Sequence, residues 1–219
     1  MNGKRNGKGI EYYKNGKVKY EGDIVNDKYE GKGKYIFEDD EYYIGQFSND
    51  KKHGKGKEYY KNGKLKYEGD FVNGKFEGTG KYIDENGNCY LGHWSEGKRH
   101  GKGKAYDRNG KIKYEGDFDN DKYEGEGKYI FENGNYYIGQ FLKGKRHGKG
   151  KEYYKNGTIK YEGVYINGKA EGYGKYIFEN GNYYLGEWSN GLKHGKGKIC
   201  YKNGKIKCEG NFVNDKYQE

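Results

Sequence analysis

Residues 137–150 read Tyr137-Ile138-Gly139-Gln140-Phe141-Leu142-Lys143-Gly144-Lys145-Arg146-His147-Gly148-Lys149-Gly150, and this stretch decides the fold. An aromatic-x-Gly triplet opens it, a short turn with Lys and Gly follows, and Gly-x-Gly closes it. Self-similarity is the first thing to look for in such a pattern. The triplet returns at Tyr20-Glu21-Gly22, Tyr43-Ile44-Gly45, Tyr67-Glu68-Gly69, Tyr90-Leu91-Gly92, Tyr114-Glu115-Gly116, Tyr161-Glu162-Gly163 and Tyr184-Leu185-Gly186, in steps alternating between 23 and 24 residues. A ninth copy, Cys208-Glu209-Gly210, has lost its Tyr.

A second mark keeps the same beat. Glu30-Gly31 and Glu77-Gly78 alternate with His53-Gly54 and His100-Gly101, each followed two residues later by another glycine. The true period is thus a 47-residue pair of unlike repeats, a Glu-Gly kind followed by a His-Gly kind. The phase never breaks. One continuous domain over 1–219 is expected, of about nine repeats, with 1–19 and 208–219 as partial end repeats.

Asn-Gly between alternating segments signals a hairpin, because a two-residue type I′ turn needs positive φ at both central positions. It occurs at Asn15-Gly16, Asn62-Gly63, Asn109-Gly110, Asn156-Gly157 and Asn203-Gly204. Turning at Asn62-Gly63 sets Tyr60 opposite Leu65 and Gly56 opposite Gly69. Turning at Asn73-Gly74 sets Phe71 opposite Phe76 and Gly69 opposite Gly78. A three-residue loop at Asn86-Gly87-Asn88 sets Asp84 opposite Tyr90 and Ile83 opposite Leu91, while Glu96-Gly97 sets Trp94 opposite Arg99 and Gly92 opposite Gly101. These registers agree on which face each side chain takes. The expected fold is all-β: an elongated single-sheet antiparallel array of consecutive β-hairpins with little or no helix.

One face then carries Tyr67, Gly69, Phe71, Phe76, Gly78, Gly80, Tyr82 and their equivalents, with rings laid over bare glycine backbone. In the His-Gly repeats a ring faces a cation across the strands: Phe47 with Lys52, Trp94 with Arg99, Phe141 with Arg146, Trp188 with Lys193. Each is expected as a cation–π contact of about 0.5–1 kcal/mol. The other face is mostly Lys, Glu and Gln. Its exceptions are opposed apolar pairs, Ile36 with Ile44, Ile83 with Leu91, Ile130 with Ile138 and Ile177 with Leu185, a candidate docking seam for a partner or a second copy.

Composition fits a thin, ring-filled fold. The 219 residues include 41 Gly, 28 Tyr and no Pro, and 18% are aromatic against 35% charged. Such charge would suggest disorder were the rings not available to build a core. The net charge of +10 favours acidic partners, although its even spread also suits plain solubilisation of the sheet. No apolar run approaches the ~20 residues of a membrane span, and MNGKRNGKG lacks the apolar segment of a signal peptide. Cys89, Cys200 and Cys208 have no metal-like spacing and are expected as free thiols in a cytoplasmic setting.

No P-loop, dinucleotide fingerprint, nucleophile elbow or Cys/His metal cluster is present. Neither enzyme activity, cofactor nor metal is expected. His53, His100, His147 and His194 recur every 47 residues, roughly 20 Å apart if each pair of repeats gives four strands. His93 and His100 are the one pair near enough to share a metal. Asp23/Glu30, Asp70/Glu77 and Asp117/Glu124 should face each other, so neighbouring lysines or a cation such as calcium must offset their repulsion.

The pattern Tyr-x-Gly-x-aromatic, a short Lys/Gly turn, then Gly-x-Gly, over nearly the whole chain, closely resembles the MORN (membrane occupation and recognition nexus) repeat. The resemblance implies elongated, twisted hairpin arrays that act as cytoskeletal or membrane-associated scaffolds. It also implies end-to-end dimers, partner segments clasped in an aromatic groove, and anionic phospholipid binding. Strict alternation of two repeat kinds and the Asn-Gly hairpins depart from the family pattern.

The expected function is a non-catalytic scaffold gripping a helix or extended segment that mixes apolar and acidic residues. Tyr90, Trp94, Tyr137, Phe141, Tyr184 and Trp188, rimmed by Arg99, Arg146 and Lys193, are the expected contacts. Peripheral binding to anionic membrane is the alternative. Nucleic acid is disfavoured, since most tyrosines are needed as core. Exposed terminal strands would permit a homodimer through the end repeats.

Overall fold

The computed structural model describes residues 3–218; Met1, Asn2 and Glu219, parts of the two expected end repeats, lie outside the described residues. The chain forms two compact units, 1–111 and 112–219. The first holds β1 (Gly7–Tyr12), β2 (Val18–Val25), β3 (Lys28–Ile36), β4 (Tyr42–Ser48), β5 (Lys51–Tyr59), β6 (Leu65–Val72), β7 (Lys75–Ile83), β8 (Cys89–Ser95) and β9 (Lys98–Tyr106). The second holds β10 (Ile112–Asp119), β11 (Lys122–Ile130), β12 (Tyr136–Leu142), β13 (Lys145–Tyr153), β14 (Ile159–Ile166), β15 (Lys169–Ile177), β16 (Tyr183–Ser189), β17 (Leu192–Cys200), β18 (Ile206–Val213) and β19 (Lys216–Gln218). Within each unit every strand pairs antiparallel with the next, and the described residues contain no helix. The all-β array of consecutive hairpins is what the repeat foretold.

Two turn types alternate. The tight ones are two-residue turns with both centres left-handed, as at Asn73 (φ 51°) and Gly74 (φ 85°), or Glu96 (φ 52°) and Gly97 (φ 81°). That is type I′ geometry, whose twist matches the flanking strands. The repeated Asn-Gly hairpins are different. Gly63 N–H donates to the Tyr60 carbonyl at 2.8 Å and Tyr60 N–H to the Lys64 carbonyl at 2.9 Å, while Asn62 keeps ordinary φ. This is a type I turn closed by a left-handed glycine, and Asn62 Oδ1 accepts from Lys64 N–H at 3.0 Å. The expected pairing of Tyr60 with Leu65 is therefore corrected: Tyr59 faces Leu65.

The loop at 84–88 has the same length and closes the same way, with Gly87 N–H on the Asp84 carbonyl at 3.0 Å. Ile83 consequently faces Cys89, and Tyr82 faces Tyr90. The opposed apolar pairs expected from the sequence do not form: Ile36 faces Tyr42, Ile130 faces Tyr136 and Ile177 faces Tyr183, while Ile44, Leu91, Ile138 and Leu185 face Lys34, Lys81, Lys128 and Lys175.

A third correction concerns the glycines. Phe71 faces Phe76 and Trp94 faces Arg99 as expected, but Gly69 faces Gly80 and Gly92 faces Gly103. Two extra residues, such as Gly78 and Thr79, bulge from the second strand of each hairpin closed by a tight turn, with Gly78 left-handed at φ 62°. A side chain on the preceding strand holds this bulge: Asp23 Oδ2 accepts from Lys32 N–H at 3.0 Å, and Gln46 Oε1 from Lys55 N–H at 3.2 Å.

The core lies on the aromatic face. Each triplet tyrosine folds back over its own strand. Tyr67 Oη donates to the Asp70 carbonyl at 3.1 Å, and its ring covers Gly69 and Gly80. Phe76 stacks on Tyr67 at 3.7 Å, and Phe71 and Trp94 meet its edges at 5.1 and 5.5 Å. Offset and edge-on ring pairs contribute about 0.5–1.5 kcal/mol beyond their buried area.

Candidate partner-binding surfaces

The rings expected to grip a partner are interior. Tyr90, Trp94, Tyr137, Phe141, Tyr184 and Trp188 are all between 0 and 8% exposed, covered by neighbouring rings of the same chain. Burial pushes the Tyr137 and Tyr184 phenols, like that of Tyr20, up to about 12, because a phenolate there would lose its water. Arg99, Arg146 and Lys193 are half-buried at the rim of this face.

The cations sit opposite the expected rings but lie over others. Lys52 Nζ is 5.4 Å from the Phe37 and Phe71 centroids and 5.8 Å from Tyr43. The Arg146 guanidinium is 4.7 Å from Tyr165, 5.6 Å from Phe131 and 5.7 Å from Tyr137, and Lys193 Nζ is 5.6 Å from Phe178 and 5.7 Å from Tyr184. Arg99 is 5.6 Å from Tyr90. The long side chain reaches past the residue opposite to the next strand's ring. Sequence reasoning missed the carboxylates that complete these cages. Glu58, 8% exposed, pairs with Lys52, and Glu152 binds Arg146 at 2.8 Å and Lys160 at 2.6 Å.

The opposite face is accessible. Ile44, Leu91 and Ile138 are 42–46% exposed, whereas Ile83, Ile130, Ile177 and Leu185 are half-buried. In the first unit a groove of about 890 Å³ crosses β1 to β5 on this face. Gly9, Gly22, Gly33 and Gly45 form its floor; Lys8, Lys32 and Lys55 edge one side, and Ile10, Glu21 and Ile44 the other. The second unit has a counterpart of about 400 Å³ among Tyr173, Leu185, Lys196, Lys198, Glu209 and Asn211. Strand alternation explains the trough: the floor positions direct their Cβ sites to the aromatic face, where Tyr20 and Tyr43 lie, and leave bare backbone between two rows of long side chains on this one.

The acidic pairs resolve into two jobs. Asp70 does face Glu77 and Asp117 faces Glu124. Lysines supply the offset, Lys8 on Asp23 and Lys55 on Asp70, each at 2.7 Å, and the Lys8 bond holds the Asp23 carboxyl below its ordinary range. Their glutamate neighbours cap the following turn: Glu30, Glu77, Glu124 and Glu171 accept the N–H of Asn49, Glu96, Lys143 and Asn190 at 2.7–3.0 Å. A constant 19-residue offset between acid and turn was the available signal. His53 faces Gln46. Among the described residues no three His, Cys, Asp or Glu side chains gather as a metal site would require. Cys89, Cys200 and Cys208 are free thiols.

Comparison with known proteins points one way. The model for the MORN repeat matches residues 20–41, 43–64, 67–89, 90–112, 114–136, 137–159, 161–183 and 184–206, and a MORN repeat variant matches 5–26. No curated protein matches the chain. Among solved structures, the wild-type TCP10 domain of Danio rerio CPAP is 11% identical over 94% of this chain and 96% of that chain, with TM-score 0.39. A protein of unknown function from Bacteroides caccae is 11% identical over 92% of this chain and 73% of that chain, with TM-score 0.21. Superpositions that loose carry no argument; the eight consecutive repeat matches do, and this chain belongs to the MORN repeat family.

Proposed function

We propose that the chain is a non-catalytic scaffold that holds an extended protein segment rich in acidic and apolar residues, laid in the glycine-floored groove. The observation that carries this reading is the groove's composition: three exposed lysines on one edge and two exposed isoleucines, Ile10 and Ile44, on the other. Lysines opposite carboxylates would give attraction and register, and the isoleucines would bury apolar side chains. The aromatic face supports this surface from behind, because its rings are already filled by one another.

The net charge of +10 favours a second reading, peripheral attachment to an anionic membrane. Affinity purification with the wild-type chain and with Lys32→Glu/Ile44→Asp separates the two. Both substitutions are on the exposed face, so the fold should persist by circular dichroism. A protein lost with the variant supports the groove. Unchanged recovery of every partner, or salt-sensitive flotation on anionic liposomes as the sole interaction, overturns it.

A further inference from the structure

The hairpin of β14 and β15 lacks, at one level, what its three Glu-Gly sisters have. In β2–β3, β6–β7 and β10–β11 the aspartates Asp23, Asp70 and Asp117 stand beside the bulge, and Asp23 and Asp117 accept the N–H of Lys32 and Glu126 at 3.0 and 3.3 Å. Val164 holds this position in β14, and its side chain offers Tyr173 N–H no acceptor. A β-carbon on Gly31, Gly78 or Gly125 would lie 2.8–2.9 Å from the aspartate's Oδ2, whereas one on Gly172 would meet nothing.

The ladder itself is interrupted there. Gly22 pairs with Gly33, Gly69 with Gly80 and Gly116 with Gly127. Gly163 and Gly174 are not partners, and the register skips from Glu162 to Val164. The bulge in this hairpin is therefore unpinned and the strands beside it are less closely paired.

The aromatic side is thinner at the same level. Tyr29, Phe76 and Tyr123 stack on Tyr20, Tyr67 and Tyr114 at 3.8, 3.7 and 3.8 Å, and the equivalent residue in β15 is Ala170. Tyr161 is still buried, but its ring contacts among the described residues are edge-on, with Trp188 at 5.1 Å and Tyr165 at 5.2 Å. Its Oη is buried without a hydrogen-bond partner. Seven sister tyrosines, such as Tyr20 on Asp23 at 2.7 Å and Tyr184 on Glu187 at 2.9 Å, donate to the carbonyl three residues on and so tie ring to strand. At Tyr161 that tie is missing.

We propose that β14–β15 is a built-in joint, at which the second unit parts locally over 163–165 and 171–174 while the strands on either side stay paired. In a repeat array each repeat touches only its neighbours, so a local weakness is not shored up from elsewhere. Tyr173, 62% exposed, sits on the bulge and forms one wall of the second unit's trough, so opening of the joint moves that wall. The joint belongs to the free chain and does not depend on what occupies the groove.

Native-state hydrogen exchange on the whole chain tests it. A lost hydrogen bond and a lost ring pair together make protection at 163–165 and 171–174 at least about tenfold lower than at the equivalent residues of β6–β7 and β10–β11. Protection in β16–β17, closer to residue 218, should exceed that in β14–β15, which fraying from the last strand would not produce. Val164→Asp should raise protection in β14–β15 about fivefold, since Lys149 faces residue 164 and can balance the new charge as Lys55 balances Asp70. Asp70→Val should lower protection in β6–β7 by a like factor. Equal protection in the three hairpins, protection that falls steadily toward residue 218, or a folded Val164→Asp that exchanges as fast as the wild-type chain overturns the proposal.

Discussion

Tyr67 Oη occupies the place that a β-carbon on Gly80 would need: such a carbon would lie 2.3 Å from Oη and 2.5 Å from Cζ. The tyrosine cannot retreat, because Phe76 stacks on its ring and Phe71 and Trp94 close its edges. Gly80→Ala should therefore cost about 3 kcal/mol or more. Gly74→Ala, at a turn with open space around it and φ of 85°, should cost about 1–2 kcal/mol from backbone strain alone. Urea denaturation of both variants checks the ranking, and equal losses would contradict the ring-on-glycine account.

The hydroxyls are not equivalent. Tyr137 donates to the Gln140 carbonyl at 3.0 Å, and Tyr161 donates to nothing. Tyr137→Phe should lose about 1 kcal/mol, whereas Tyr161→Phe should be neutral or mildly stabilising, since it removes an unsatisfied buried group. Thermal melts of the two single variants read this directly.

Lys52 and Glu58 form a pair enclosed by rings, the carboxylate almost wholly buried. Glu58→Gln should cost about 2 kcal/mol by leaving the ammonium without its counter-charge. Adding Lys52→Met should restore most of that loss, because an apolar chain suits the Phe37, Tyr43 and Phe71 cage. A double-mutant cycle by chemical denaturation gives the coupling.

Alkali should unfold the chain cooperatively. Tyr20, Tyr137 and Tyr184 are raised to about 12, and an unfolded phenol ionises near pH 10. Their contribution is whole below about pH 10 and is lost as pH rises through about 12, since the unfolded chain gives up its phenolic protons first. Absorbance at 295 nm and far-ultraviolet circular dichroism should move together over that window; tyrosine ionisation completed well before the dichroism changes would show that the phenols are accessible.

The period, the two faces and the ring-over-glycine core were legible because the one odd register error, Tyr59 in place of Tyr60 opposite Leu65, is absorbed by a bulge beside the turn, and the errors that run on along the strands were of two residues. Gly69 shifted from Gly78 to Gly80, and Ile83 from Leu91 to Cys89. A two-residue slip moves a partner along the strand and leaves it on the same face. The turn type at Asn62-Gly63 was not legible, since type I′ and type I with a following left-handed glycine both place glycine at positive φ. The burial of the expected contact rings was not legible for another reason. Rings such as Trp94 and Trp188 read as binding residues in a sequence, and the spacing of Phe76, Tyr82 and Tyr176 around them does not reveal that they close over each other. Glu58 and Glu152 sit among ordinary lysines and glutamates, and only three-dimensional neighbours distinguish them.

In β18, Cys208 stands where every earlier repeat has tyrosine, yet the glycine two residues on is covered. The ring of Tyr217, from β19, lies 3.0 Å from where a β-carbon of Gly210 would be, and its hydroxyl donates to the Glu209 carbonyl at 3.2 Å. A lost letter of the motif has been supplied from a different line of the text. Motif scans, which stop at residue 206 here, count spellings and will undercount such folds. A census of repeats in this family is better taken by asking which bare backbone positions are roofed, from whatever strand the roof is borrowed.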